Sequence, residues 1–234
     1  MSLDDNFEFE AFPKIPRLKT RVIVTEKIDG TNAQVAIFGP HPADKCSLFS
    51  GHSKWLGDVI LDDFRYGVFA GSRNRYVTPG NDNFGFARWV HENMEELVAT
   101  LGPGRHYGEW WGSGIQRRYG LSGGDKRFSL FNTLRWMNEG SPPLPDILGC
   151  VPVLFNGDNP DIEQIMMELK ASGSRAAPGY MDPEGIVYYH CGSREKGLFK
   201  CTFENDKGKW TEQKDTTNER PNIALDIESL AAAG

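Results

Sequence analysis

The chain has 234 residues, a formal net charge of −6, and side chains that are 39% hydrophobic and 25% charged. That length suits one domain, or one large and one very small one, with room for a sizeable core. No stretch reaches the ~20 apolar residues that span a bilayer, and the acidic start Met1-Ser2-Leu3-Asp4-Asp5 lacks a signal pattern, so a cytoplasmic protein with no membrane partner is expected. The acidic balance argues against a nonspecific nucleic-acid coat. It leaves room for a local basic groove, and Arg73 with Arg75, Arg117 with Arg118, and Lys126 with Arg127 are local clusters. Cys46, Cys150, Cys191 and Cys201 form no Cys-x-x-Cys pair, which speaks for free thiols and against a zinc site.

In chain order, short runs rich in Val, Ile, Phe, Tyr and Trp, bounded by Gly, Pro or Asn, predict strands over Arg21–Lys27 and Asn32–Phe38. A helix is predicted from Asn83 to Leu101. There Phe86, Trp89, Val90, Leu97, Val98 and Leu101 recur at helical spacing, and Gly102 stops the run. Strands follow over Arg105–Trp111 and Arg127–Trp136, and Ser141–Pro145 reads as a loop. A second helix is predicted over Pro160–Lys170, with Asn159 as its N-cap. Gly185–His190 and Leu198–Phe203 complete the strands, and the polar residues 211–234 read as a short C-terminal extension of a single domain. Strands outnumber helices without regular alternation, so the expected class is α+β with antiparallel sheets.

One run carries chemistry. Glu26-Lys27-Ile28-Asp29-Gly30-Thr31-Asn32 places a lysine at the end of an apolar strand, just before a tight turn. Alone it is also compatible with an ordinary hairpin and a solvated lysine. Five further segments follow it: Gly71-Ser72-Arg73-Asn74-Arg75, Tyr107-Gly108-Glu109-Trp110-Trp111-Gly112-Ser113-Gly114-Ile115-Gln116, Phe128-Ser129-Leu130-Phe131-Asn132, Pro183-Glu184-Gly185-Ile186-Val187, and Leu198-Phe199-Lys200-Cys201-Thr202-Phe203. Their order resembles the motif series of the covalent nucleotidyltransferases, the superfamily of DNA ligases, RNA ligases and capping enzymes. The likeness covers roughly residues 20 to 205. Gln116 at the end of the third segment, and Asn32 five residues after the lysine, are most similar to the ATP-dependent RNA ligases of the RNA ligase 2 family.

That resemblance implies a nucleotidyltransferase (adenylyltransferase) fold and an RNA ligase. Lys27 would attack the α-phosphate of ATP, release pyrophosphate and carry AMP. The AMP would pass to a 5′-phosphate end of RNA or an RNA-containing duplex, and a 3′-hydroxyl would then seal the strand. The amine must shed its proton to attack, which burial and nearby positive charge favour; Lys200 or a bound metal would supply that charge. The resemblance also assigns Glu26 to the adenine edge, Ile28 to nucleotide binding, Glu109 to the ribose hydroxyls and Lys200 to the α-phosphate. Phe131, or else Phe128, would stack on the adenine. Glu184 would hold Mg²⁺ or Mn²⁺. Asn32, Arg73 (with Arg75 as a substitute) and Gln116 would serve the 5′-phosphate of the nucleic acid.

Two positions depart from the family pattern. Asn132 stands where an aspartate is usual, which puts a metal role there in doubt. Thr202 replaces a second basic residue on the same face as Lys200, with Lys207 or Lys209 as candidates to compensate. These departures give some support to a rival reading, a nucleotide- or nucleic-acid-binding module on an impaired scaffold. A small DNA ligase or capping guanylyltransferase is the rival enzyme. The roughly thirty residues after Phe203 are too few for the C-terminal OB-fold those enzymes use. A monomer is expected, with room for an accessory nucleic-acid-binding subunit.

Overall fold

The computed structural model describes residues 21–192 and 197–205. Two sheets dominate. The first has the order β11-β10-β1-β9, built from β1 (Arg21–Lys27), β9 (Val153–Asp158), β10 (Gly185–His190) and β11 (Leu198–Thr202). The second has the order β3-β4-β2-β6-β7-β8, with β5 paired to β4. It comprises β2 (Thr31–Pro42), β3 (Gly57–Leu61), β4 (Phe64–Ser72), β5 (Tyr76–Val77), β6 (Gly104–Gly112), β7 (Lys126–Leu130) and β8 (Leu148–Cys150). The strand pairs are antiparallel except β7 with β8. The α+β class with antiparallel sheets is thus present.

Helices α1 (Phe86–Glu92) and α2 (Met94–Leu101) cover one face of the larger sheet. Phe86, Val90, Leu97 and Leu101 pack there on Val35, Val68, Trp110, Phe128 and Leu130. Strand side chains alternate between faces, so the other face of β2, β6 and β7 carries Asn32, Gln34, Tyr107, Glu109, Trp111, Arg127 and Ser129. Helix α4 (Ile162–Ser172) covers the smaller sheet, where Leu169 meets Val24 and Ile186. Ile28, Trp111, Tyr119, Val151 and Ala177 form a third cluster that joins the turn after β1 to the far face of β6.

Several elements differ from expectation. The single helix predicted over 83–101 is two, because Asn93 leaves helical geometry and its side chain bonds back to the carbonyl of Trp89 at 2.7 Å. The strand predicted over Arg127–Trp136 ends at Leu130. Asn132 then accepts from the Arg135 amide and caps the short helix α3 (Thr133–Trp136). Helix α4 is capped by Asp161, which accepts from the Gln164 amide at 3.0 Å, and not by Asn159, whose φ of 51° lies in the left-handed region. The hairpin β3–β4 was not predicted. Cys46, Cys150, Cys191 and Cys201 are free thiols. Lys207, Lys209 and the extension 211–234 lie outside the described residues. No helix of the described residues is long and apolar enough to cross a membrane.

Candidate active site at the seam of the two sheets

Lys27 is the last residue of β1 and pairs with Gly185 of β10, which in turn pairs with Thr202 of β11. The pleat therefore puts Lys27, Thr25, Val187, Lys200 and Thr202 on one face of the smaller sheet, and Glu26 on the other. Close approach of the three strands needs Gly185, where φ is 150° and a Cβ would sit 2.1 Å from the Cys201 carbonyl. The turn after Lys27 also needs its glycine. A Cβ at Gly30 would lie 2.5 Å from the Trp110 carbonyl, so the Asp-Gly pair seats the turn directly on β6.

This seating brings the two sheets together at Glu109. The Gly30 amide donates to Glu109 Oε1 at 3.1 Å, and Asn32 stands opposite Glu109 in the β2–β6 register. Burial pushes the Glu109 carboxyl up to about 7. Lys27, the Gly30 amide and Arg73 pull against that rise, and Glu184 adds to it. The Lys27 Nζ donates to Glu184 Oε2 at 2.5 Å, with the two side chains only 22% and 16% exposed. Lys27, Glu109, Glu184 and Arg73 thus share one electrostatic neighbourhood, although they come from four separate segments.

Phe131 follows β7, and its amide donates to the Tyr107 carbonyl. It extends the register that sets Ser129 opposite Glu109, and its ring is 38% exposed. The alternative, Phe128, is buried in the core against Phe86 and Trp89, where no base can reach it. Lys200 is exposed on the edge strand β11, and Thr202 beside it is buried. Arg73 lies exposed in the turn after β4, and Arg75 is tied to Asn81 at 3.1 Å.

Two expected residues have other work in this structure. Glu26 is buried on the α4 side, and its carboxylate accepts from Ser174 Oγ at 2.5 Å and from the amides of Arg175 and Ala176 at 2.7 and 3.0 Å. It anchors the loop after α4. The Ile28 side chain is buried in the third cluster. Gln116 is exposed on a loop with φ of 41°, and no bond draws it toward Lys27.

A further network lies beside this site. Arg117 Nε donates to Asp29 Oδ2 at 3.1 Å, and its other two nitrogens donate to Asp182 and Glu204. The Tyr119 hydroxyl accepts from the Asp29 amide at 2.7 Å. These partners lie 65 to 90 residues apart in the chain, and no local pattern reports such pairings.

The RNA ligase family model matches residues 20–211. No curated protein matches the chain. Three similar solved structures are of Naegleria gruberi RNA ligase. A lysine-to-alanine mutant in its apo form shares 17% identity over 78% of this chain and 49% of that one, with a TM-score of 0.47. A lysine-to-methionine mutant with AMP and Mn shares 16% identity over 78% and 49%, at 0.45. A lysine-to-alanine mutant with ATP and Mn shares 16% identity over 78% and 50%, at 0.44. The chain therefore spans about half the length of these structures. With the family model covering most of its length, the chain belongs to the RNA ligase family.

Proposed function

We propose that this chain is an ATP-dependent RNA ligase on a nucleotidyltransferase fold, of the RNA ligase 2 type, with Lys27 as the nucleophile. The observation that carries this reading is the bond of the Lys27 amine to Glu184, beside the turn whose Gly30 amide donates to Glu109 where one sheet abuts the other. The Lys27 ammonium sheds its proton to solvent before attack, and Glu184, bonded to its Nζ, orients the amine. The freed lone pair forms a nitrogen–phosphorus bond at the α-phosphorus of ATP. The bond from that phosphorus to the bridging oxygen breaks, and pyrophosphate leaves with the electron pair. Lys200, on the same sheet face as Lys27, offsets charge on the α-phosphate as a point charge. Glu109 accepts from the ribose hydroxyls, and the exposed Phe131 ring offers a stacking surface for the adenine. Because the side chains of Glu26 and Ile28 are engaged within the fold, their contact with the nucleotide falls to backbone groups.

Among the described residues no group of three or more His, Cys, Asp and Glu side chains could hold a metal. One carboxylate, Glu184, would hold a Mg²⁺ or Mn²⁺ ion, the kind of site in which a single protein carboxylate suffices. When bound, such an ion neutralises charge on the transferring phosphate. The second step moves AMP to a 5′-phosphate end held by Arg73, Asn32 and Gln116, a setting in which the arginine fork suits the anion. The third displaces AMP with a 3′-hydroxyl.

The test is joining of a nicked RNA duplex that bears a 5′-phosphate, with ATP and Mg²⁺ or Mn²⁺. Wild type is expected to give sealed strand, and Lys27→Ala none unless the 5′ end is supplied already adenylylated. Failure of wild type on both substrates would contradict ligation by this chain.

A further inference from the structure

One guanidinium braces three of the strand ends that bear on this site. Arg117 uses each of its three nitrogens on a different carboxylate: Nε on Asp29, Nη1 on Asp182 and Nη2 on Glu204. Asp29 lies two residues after Lys27. Asp182 lies two before Glu184, and Glu204 lies two after Thr202, just past β11. The arginine side chain is only 14% exposed although two of its partners are well exposed. Its loop holds an unusual backbone, because Gln116, Arg118 and Tyr119 all have positive φ, at 41°, 60° and 50°. Such conformations persist where the surroundings over-determine them. Here Ile115 is buried in the main core, the Tyr119 hydroxyl takes the Asp29 amide, and the Tyr180 hydroxyl donates to the Arg117 carbonyl at 3.3 Å.

We infer that Arg117 is a positioning residue for nucleotide transfer to Lys27: it fixes the turn after Lys27, the approach to Glu184 and the end of the Lys200 strand in one arrangement. The inference rests on the reading of Lys27 as the nucleophile. A planar fork is what this task needs, because three carboxylates approach from three directions. A lysine gathers its donors on one compact ammonium and lacks the fork that meets carboxylates set on separate sides. Arg117 touches none of the reacting atoms. Its influence runs through the placement of Lys27, Glu184 and Lys200, and small displacements of reacting groups carry large rate penalties.

The experiment is single-turnover labelling with α-labelled ATP and Mg²⁺. It compares wild type, Arg117→Met, Arg117→Lys, Glu204→Gln, Glu184→Ala and the double variant of Arg117→Met with Glu184→Ala. Arg117→Met is expected to slow labelling at saturating ATP by roughly 10²-fold with little change in KM, and Arg117→Lys to recover only a small part. The double variant should fall below Glu184→Ala by clearly less than the full Arg117→Met factor, since one of the three arms acts on Glu184; a merely structural role would make the two losses multiply. If Arg117→Met does not fold, Glu204→Gln, which alters one exposed arm, should still slow labelling about three- to tenfold at an unchanged unfolding midpoint. Wild-type rates in folded Arg117→Met or Glu204→Gln, or multiplying losses in the double variant, would overturn the inference while leaving Lys27 as nucleophile. Absence of label on wild type would bring down both.

Discussion

The larger sheet packs one face against α1 and α2, with Val35, Val68, Phe86 and Val90 fully buried. The smaller sheet has a thinner core, with Val24, Ile186 and Leu169 clustered under α4 and Val22 and Ile23 of β1 also buried. It ends at β11, where Leu198 and Phe199 stand 53% and 60% exposed. The residues proposed for chemistry divide along the same line. Glu109 and Asn32 sit on the well-packed sheet, and Lys27, Lys200 and Glu184 on or beside the thin one. The difference teaches how the site is built. In the proposed site a well-packed wall carries Glu109 for the nucleotide, and a lighter sheet carrying Lys27 is fastened to it through Gly30, Ile28 and the proposed Arg117 brace.

The largest effect that would sharpen this contrast is on stability. Phe128→Ala removes a ring packed on Phe86 and Trp89 and should cost about 3–5 kcal/mol, against about 2 kcal/mol for Leu169→Ala in the thinner core. Urea denaturation reads both. Equal losses would break the contrast.

Next is a pH effect at the seam. Burial raises Glu109 from the ordinary carboxylate range to about 7, so the folded state binds more protons than the unfolded state between about pH 4.5 and 7. Stability contributed by Glu109 is therefore present at low pH and lost as pH rises through that window. The folding free energy of wild type relative to Glu109→Gln should fall by on the order of 3 kcal/mol across it. His106 runs the other way. Burial lowers it to about 4, against a lesser opposing pull from its bond to the Gly102 carbonyl, and its contribution is lost as pH falls from about 6.5. The two oppose each other in wild type, so Glu109→Gln should show the acid lability that wild type hides. Parallel stability–pH curves for the two proteins would rule this out.

A smaller effect falls on rate. Lys200→Ala should slow self-labelling with α-labelled ATP about 10²-fold without changing the unfolding midpoint, since Lys200 is exposed on an edge strand. The smallest is local: Asp161→Ala removes the cap of α4 and should cost about 1 kcal/mol in denaturant while leaving labelling unchanged.

Much of this was legible in the residues. Strands Arg21–Lys27 and Gly185–His190 have the predicted bounds, because Val22-Ile23-Val24-Thr25 is a β-branched run that meets the Asp29-Gly30 turn and Gly185 opens a run of Ile, Val and Tyr. The β3–β4 hairpin was also within reach: Asp62 and Asp63, with φ of 49° and 66°, form a two-residue loop between apolar runs. Asn93 and Asn132 were harder to read. A polar side chain that bonds its neighbouring backbone breaks or starts a helix without disturbing hydrophobic spacing. The motif order pointed to Lys27, Glu109 and Glu184, and the structure brings them together. It could not foresee that Glu26 anchors the 174–176 backbone or that Arg117 gathers three carboxylates, since those pairings span the chain.

The most direct test of the central claim is to incubate the protein with α-labelled ATP and Mg²⁺, digest it and identify the modified residue. The account predicts acid-labile AMP on Lys27 of wild type, no label on Lys27→Ala, and little label from GTP. Label on another residue, or no label on folded wild type that is not already adenylylated, would contradict it.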